Sequence, residues 1–544
     1  MAKQLMYGED ARKQIRNGVK KLADAVRVTM GPTGKNVLME KKFGSPDVTK
    51  DGVTVAKEVE LENPFENVGA KLAQAVSEKT NDVVGDGTTT AVVLVDALYS
   101  EGLRNVAAGA DTAALKRGID KAVQIAVEDI RKISRPVKGI DDYRRVATIS
   151  AHGEKEIGDM VAQAMDRVGK DGVITVEEGK GRETTVEYVD GMQFDKGYIS
   201  PYFITSPTSL AAELEDAFIL LTDKKLSNIM EVVPLLEQVA QSGSRLLVVC
   251  EDMEGQVLSL MVLNRLRGLL HCCAVKAPAF GDRRKAILED IAVLTGGKVI
   301  SDDLGIKLEK VKLADLGRAK NVKIEKEKTT IVGGAGTKKA IEARIAEIRA
   351  LIKKTTSDYD REKLEERLSR LLGGVAIVKV GGATESVIKE RKYRVDDAVH
   401  AVKAAAQEGI IPGGGTAYVR ASKRIAGAAQ DLAGDERTGA MIVARALEAP
   451  MACIVANTGA DPSAVMAEVK EASGWSGYNA ATGEFADMMD AGVLDATKVA
   501  VTALQNAASV ASLMLTANTV ITEIKEKKEG KGKKEAVPVE GAVV

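Results

Sequence analysis

The chain has 544 residues, enough for about three or four domains at roughly 150 residues each. Hydrophobic residues make up 45%, charged residues 28% and aromatics only 3%, so aliphatic and alanine packing must build the core, and helices are favoured over an all-β fold. A net charge of −1 argues against a nucleic-acid partner, and no apolar run reaches the roughly 18 residues of a membrane span.

At the N-terminus there is no apolar signal core, and the acidic residues argue against a transit peptide. Residues 9–30 carry a helical pattern, with Ile15, Val19, Leu22 and Val26 on one stripe, which should stop at Gly31–Pro32. Short strands follow at 36–40 and 47–49, and Asp51–Gly52 reads as a hairpin turn. A helix covers 66–82, and a second, through AVVLVDALY, is apolar nearly all round and should lie inside its domain.

Between about 173 and 335, strand-like runs (GVITVEEG, AFILLTD, SRLLVVCED, CCAVKAP, GKVISDD) alternate with helices at 229–241 and 255–267, which points to an α/β unit. Residues 338–372 read as helical, with Ser357 and Asp360 placed as a capping box. Helix resumes at 395–408 and dominates to about 523, before a charged tail expected to be disordered. The four cysteines (Cys250, Cys272, Cys273, Cys453) show no C-x-x-C spacing and read as packed thiols. His152, His271 and His400 are too scattered in sequence to suggest a zinc site. A reducing cytoplasm is the expected setting.

Several loops carry candidate chemistry. In GDGTTT, residues 85–90, glycines would let the backbone approach an anion at a helix N-terminus, and Asp86 is the kind of carboxylate that holds Mg²⁺ beside phosphate. The same residues suit a glycine-hinged helix–loop–helix with Asp or Thr as a cap. TMGPTGKN at 29–36 and GGG at 413–415 are further backbone-rich loops, each also readable as a plain turn. Asp396 and Asp397 fall in what reads as the first turn of a helix, where acids belong for dipole reasons alone. The aromatics Phe194, Tyr198, Tyr202 and Phe203, within GMQFDKGYISPYF, suit either a local core or an exposed protein-binding patch.

Taken together and in this order, TMGPTGKN, TKDGVTVAKE, GDGTTTA, GMQFDKGYISPYF, KAPAFGDRRK, TSDYDREKL, PGGG and YNAATGE resemble the group I chaperonins of the bacterial GroEL type, over about residues 4–523. The resemblance implies a multi-domain α and α/β chaperonin fold. Its parts would be a mainly helical equatorial ATPase domain (1–135 and 409–523), a small hinge-like intermediate domain (136–190 and 375–408) and an α/β apical domain (191–374), followed by the tail at 524–544. Gly191, Gly373–Gly374, Pro136 and Gly409 would be the hinges. It further implies an ATP-driven folding machine of two stacked seven-membered rings that captures unfolded polypeptides and binds a small lid co-chaperonin of the GroES type.

Carried over by position, Thr29, Met30, Gly31 and Pro32 together with Asp86, Gly87, Thr88, Thr89 and Thr90 would cradle the ATP phosphates, with Lys50 and Gly414 lining the pocket. Asn479, Ala480, Ala481 and Asp495 would hold base and ribose. Asp86 would coordinate Mg²⁺, and backbone oxygens of Thr29 and Lys50 would suit K⁺. Asp397 would orient or activate the attacking water, with Asp51 assisting. Tyr198, Tyr202, Phe203, Val233, Leu236, Leu258, Val262 and Leu263 would form the apolar polypeptide-binding face. The tail departs from the family's Gly-Gly-Met repeats, Val233 is smaller than the usual leucine, and Ala496 stands where proline often follows the ribose aspartate. An alternative of another class is a paralogue acting mainly as a scaffold or specialised binding protein.

Overall fold

The computed structural model describes residues 2–41, 46–170, 172–179, 181–206, 209–301, 306–355 and 357–524, so the expected tail lies outside the described residues apart from Ile524. The described residues are mostly helical, with several small sheets. They group into two compact units. The first draws on both chain ends: residues up to Ser134, Ile411–Val493, and Thr497 onward; the second takes Arg135–Ile410 and Leu494–Ala496.

In the first unit, the Gly8–Arg27 helix buries the expected stripe, with Ile15, Val19, Leu22 and Val26 at most 2% exposed. Each such side chain contributes about 1.5–3 kcal/mol by leaving water. The Pro64–Val84 helix opens where Asn63 Oδ1 accepts from Phe65 N (3.0 Å), with proline at its first position. Thr88–Ala107 is buried on almost every side, as its all-round apolar sequence predicts. Two stretches, Gly434–Thr458 and Thr497–Thr516, do have the length and hydropathy of a membrane span, contrary to the sequence expectation; both are mostly buried in the unit's core.

Two features of this unit differ from the sequence reading. Asp51–Gly52 is not a hairpin turn. The hairpin pairs Val37–Met39 with Asp47–Thr49, and Asp51 instead caps the Gly52–Glu58 helix, its carboxylate accepting from Val53 N and Thr54 N (both 3.1 Å). An aspartate serves either role, and here burial of Val53, Val55 and Ala56 selects the helix. The second is a strand, Lys3–Tyr7, antiparallel to Thr519–Glu523 and so joining the sequence extremes.

The second unit is built on two main sheets, beside the short parallel pair of Lys225–Leu226 with Asp252–Met253. The larger runs in the order His271–Lys276, Arg245–Cys250, Ala212–Thr222, Gly317–Ile324, Thr329–Gly334, Gly191–Phe194, with Val299–Ile300 also on Ala212–Thr222. Its first three strands are parallel, and the helices Ile229–Ser242 and Gly255–Leu266 connect them, which is the expected α/β pattern. Cys250, Cys272 and Cys273 are free and buried here; burial pushes the Cys250 and Cys272 thiols up to about 12, so they behave as packing groups.

The smaller sheet centres on Val375–Val380, parallel to Val173–Glu178 and antiparallel to Thr185–Val189. Single residues link the two sheets' elements. Asp190 alone separates Thr185–Val189 from Gly191–Phe194, and Gly374, in the left-handed region at φ +60°, separates Asp358–Gly373 from Val375–Val380. Where the chain enters and leaves this unit, Arg135 and Ile410 exchange backbone hydrogen bonds of 2.9 and 2.8 Å.

Residues 338–372 form two helices, Lys338–Lys354 and Asp358–Gly373. The Ser357 hydroxyl accepts from Asp360 N (3.2 Å), while the Asp360 carboxylate reaches Arg283 (2.9 Å). The buried Asp290 carboxylate, 1% exposed, fastens both helices to Gly281–Thr295: Arg344 Nε donates to Oδ1 (2.7 Å), Arg367 Nε to Oδ2 (2.7 Å) and Arg367 Nη2 to Oδ1 (2.9 Å).

Candidate functional site

The GDGTTT loop is built by its glycines. Pro64–Val84 ends at Gly85 (φ +66°), and Thr88–Ala107 begins at Gly87 (φ +74°) with no side chain capping it. The first-turn N–H groups of a helix have no partner within it, and the helix dipole favours an anion there. Asp86 lies beside them, half-buried, with Oδ1 accepting from Gly87 N (2.6 Å).

Two further loops meet this helix start. The Thr29 hydroxyl, almost fully buried, donates to Val26 O (2.9 Å) and lies 3.4 Å from the Thr89 hydroxyl. The Lys50–Gly52 segment comes so close that a Cβ on Gly52 would stand 2.2 Å from Thr89 Oγ1 and 3.1 Å from Thr88 Oγ1. Only glycine fits. Asp51 adjoins them, but its carboxylate also takes Thr54 Oγ1 (2.5 Å) besides the two capping N–H groups, a structural duty that the sequence did not reveal.

The GGG loop stands before the Thr416–Ala428 helix, with Gly414 and Gly415 at φ +64° and +82°. Gly413 N donates to Val493 O (2.9 Å), and a Cβ on Gly414 would face Tyr478 O at 3.6 Å. Asn479 ends the Ser476–Asn479 strand and turns the chain, its Oδ1 accepting from Ala481 N (3.0 Å) while Ala480 packs on the core around Met451.

One helix, Ala449–Thr458, backs both loops. Gly31 faces its Ile454 (3.1 Å to an added Cβ), Gly415 faces its Met451 (2.9 Å), and Asn457 Nδ2 donates to Arg27 O (2.9 Å) and Met30 O (2.8 Å). The sequence reading passed over this helix, whose only signal was an asparagine one turn beyond apolar residues in PMACIVANTG.

These donors fit a polyphosphate and its metal: uncapped helix N–H groups, hydroxyls of Thr88–Thr90, and a single carboxylate at Asp86. Mg²⁺ beside phosphates commonly takes one or two protein carboxylates, with phosphate and water oxygens completing its shell. Among the described residues, no group of three or more His, Cys, Asp or Glu is placed to hold a metal by itself. The model for the TCP-1/cpn60 chaperonin family matches residues 22–525, nearly the whole chain.

The chain belongs to the TCP-1/cpn60 chaperonin family.

Membership gives this chaperonin a chaperone role in protein folding, and chaperonins are generally ATPases that bind ATP with Mg²⁺. The remaining sequence candidates lie in the second unit. Asp495 is in the strand Leu494–Ala496. Asp396 and Asp397 are not in a first helical turn: their helix spans Glu385–Glu408 with Thr384 as its cap, which places both in its middle and removes the dipole explanation for them. Farther along, His400 Nδ1 lies 2.9 Å from Asp396 O. Burial, then Lys403 and Lys328, lower His400 to about 4; burial and Lys328 lower Lys403 to about 8.

The candidate polypeptide face of the chaperonin divides by burial. Tyr202, in a turn capped by Ser200, is 65% exposed and Leu263 is 51% exposed, while Tyr198, Val233, Leu258 and Val262 are half-buried. Phe203 (0%) and Leu236 (6%) are buried in this conformation and present the least surface of the sequence candidates. Phe194 is likewise core, so the aromatic cluster is partly core and partly surface. The exposed apolar residues Met230, Leu266 and Leu269, on or beside the same two helices, were missed because leucine and methionine there read equally well as core.

Proposed function

We propose that this chaperonin is an ATP-hydrolysing folding machine of the group I type, working in the cytoplasm as two stacked seven-membered rings with a small lid co-chaperonin. The observation that carries the reading is the convergence of Thr29, Gly52 and Thr89 at the uncapped start of the Thr88–Ala107 helix. That arrangement offers a phosphate cradle without a P-loop lysine.

In this reading, Thr29–Pro32 and Asp86–Thr90 bind the ATP phosphates, Lys50 and Gly414 line the pocket, and Asn479–Ala481 with Asp495 hold base and ribose. Asp86 would hold Mg²⁺, which would supply charge neutralisation at the phosphates, and backbone oxygens of Thr29 and Lys50 would hold K⁺. Asp397 orients a water and draws off its proton as the water oxygen attacks the γ-phosphorus in line; the bond to the β,γ-bridging oxygen breaks, leaving ADP and phosphate. Asp51 assists from the start of the Gly52–Glu58 helix, which its carboxylate caps.

The equatorial (1–135, 409–523), intermediate (136–190, 375–408) and apical (191–374) division is supported by the one-residue links at Asp190 and Gly374, which suit hinges. Tyr202, Leu263 and their half-buried neighbours capture non-native chains through exposed apolar surface. ATP-dependent refolding of a denatured substrate, with and without a lid protein, tests the whole reading. Recovery is expected only with Mg²⁺ and ATP, and Asp397→Ala should nearly abolish turnover while sparing ATP binding. A parent protein without ATPase activity overturns it.

A further inference from the structure

We propose that Asn457 is a positioning residue for nucleotide binding, holding the TMGPTGKN loop in the conformation that the phosphates require. This rests on the reading of that loop as part of a nucleotide pocket. Asn457 Nδ2 donates to the carbonyl oxygens of Arg27 (2.9 Å) and Met30 (2.8 Å). Both partners are acceptors, so only the amide NH₂ can serve them. Arg27 is the last residue of its helix, where terminal carbonyls have no partner within the helix. Met30 lies in the loop. The two bonds therefore straddle Thr29, fixing the chain just before and just after the residue that meets Thr89.

The same helix supplies the rest of the support. Ile454, one turn before Asn457, lies under Gly31, and Cys453 Sγ approaches Arg27 O (3.5 Å). Met451, one turn earlier again, lies under Gly415 of the loop proposed for the other end of the nucleotide. One rigid helix thus sets the spacing between two loops that are far apart in sequence. Of its contacts, those of Asn457 are directional, because hydrogen bonds fix peptide orientation where apolar contacts fix only separation. Asn457 bonds main-chain carbonyls, one before the loop and one at Met30 within it, and so it acts through Thr29–Gly31.

Replacing Asn457 should affect binding more than the chemical step. Asn457→Ala is expected to raise the ATP KM about tenfold, with kcat within about twofold of the parent. Asn457→Asp keeps the shape but turns an acceptor toward two carbonyls, and should be at least as damaging; Asn457→Gln, which keeps the donor, should recover part of the loss. Equilibrium titration with ADP gives a readout independent of turnover, and thermal melting and ring mass should match the parent. Asp461→Ala is the structural control: it removes the cap on Pro462–Glu471, the helix packed on Ala449–Thr458, without touching the loop, and should leave ADP affinity unchanged. Parent-like ADP affinity in both Asn457→Ala and Asn457→Asp, or an equal loss in Asp461→Ala, overturns the assignment while leaving the pocket itself intact. A parent protein that binds no nucleotide overturns both.

Discussion

Thr29 Oγ1 and Thr89 Oγ1 lie 3.4 Å apart, joining two loops separated by 60 positions in sequence. The Thr29 hydroxyl also donates to Val26 O, which holds it in place beside Thr89. Because Gly52 presses on the same Thr89 hydroxyl, three segments share one atom as their meeting point.

That crowding makes a sharp test. Gly52→Ala places a methyl group 2.2 Å from Thr89 Oγ1, so one of the segments must move. ATP affinity is expected to fall by at least about tenfold, equivalent to about 1.4 kcal/mol. Adding Thr89→Ala removes the atom that is struck. The double variant should bind more tightly than the two single losses combined predict, and additive losses by calorimetric titration would show that the contact does not shape the pocket.

Burial separates two neighbouring aromatics. Phe203 has no exposed surface, so Phe203→Ala should cost about 3–5 kcal/mol through lost burial and a cavity. Tyr202 is 65% exposed, and Tyr202→Glu should alter stability by less than about 0.5 kcal/mol while impairing capture of an unfolded substrate and leaving basal ATPase intact. Melting curves beside a light-scattering capture assay distinguish the two; undiminished capture by Tyr202→Glu rules that residue out of the face.

Asp290 carries a different kind of load. Asp290→Asn leaves Arg344 and Arg367 without their shared buried anion, for an expected cost of about 3–5 kcal/mol. Because both arginines sit on Lys338–Lys354 and Asp358–Gly373, loss of hydrogen-exchange protection should concentrate in those helices. Uniform loss across the larger sheet would argue against a local clamp.

His400 predicts an acid-side weakness. Unfolded, the ring takes a proton near pH 6.5; folded, burial together with Lys403 and Lys328 hold it to about 4, despite Glu325 nearby and the Asp396 carbonyl. Between those values the unfolded chain binds more protons, so stability falls as pH drops from about 6.5 to about 4. His400→Gln should flatten that part of the melting-temperature profile, and an unchanged slope would place its origin elsewhere.

Much of this fold is legible because local pattern and burial agree. The stripe on Gly8–Arg27, the buried run in Thr88–Ala107 and the strand of Cys272 and Cys273 each announce their surroundings within a few residues. Misreadings arose where a residue type serves two purposes. Asp51 caps a helix as readily as it turns a hairpin, and Asp397 resembles a first-turn acid until the helix proves to begin at Glu385. Lys3–Tyr7 was invisible because its partner strand lies at the opposite end of the sequence. Asn457 was hidden for the same reason: its meaning lies in two carbonyls more than four hundred positions away.

The pairing of Lys3–Tyr7 with Thr519–Glu523 also dictates an order of assembly on the ribosome. The second unit is nearly complete once Ile410 has emerged, and its sheets can form at that point. The first unit must hold Gly8–Arg27 and Thr88–Ala107 with exposed apolar faces until Thr497–Thr516 and the last strand are synthesised. Until that last strand is made, the apolar faces of the first unit's early helices lack their final partners within the chain.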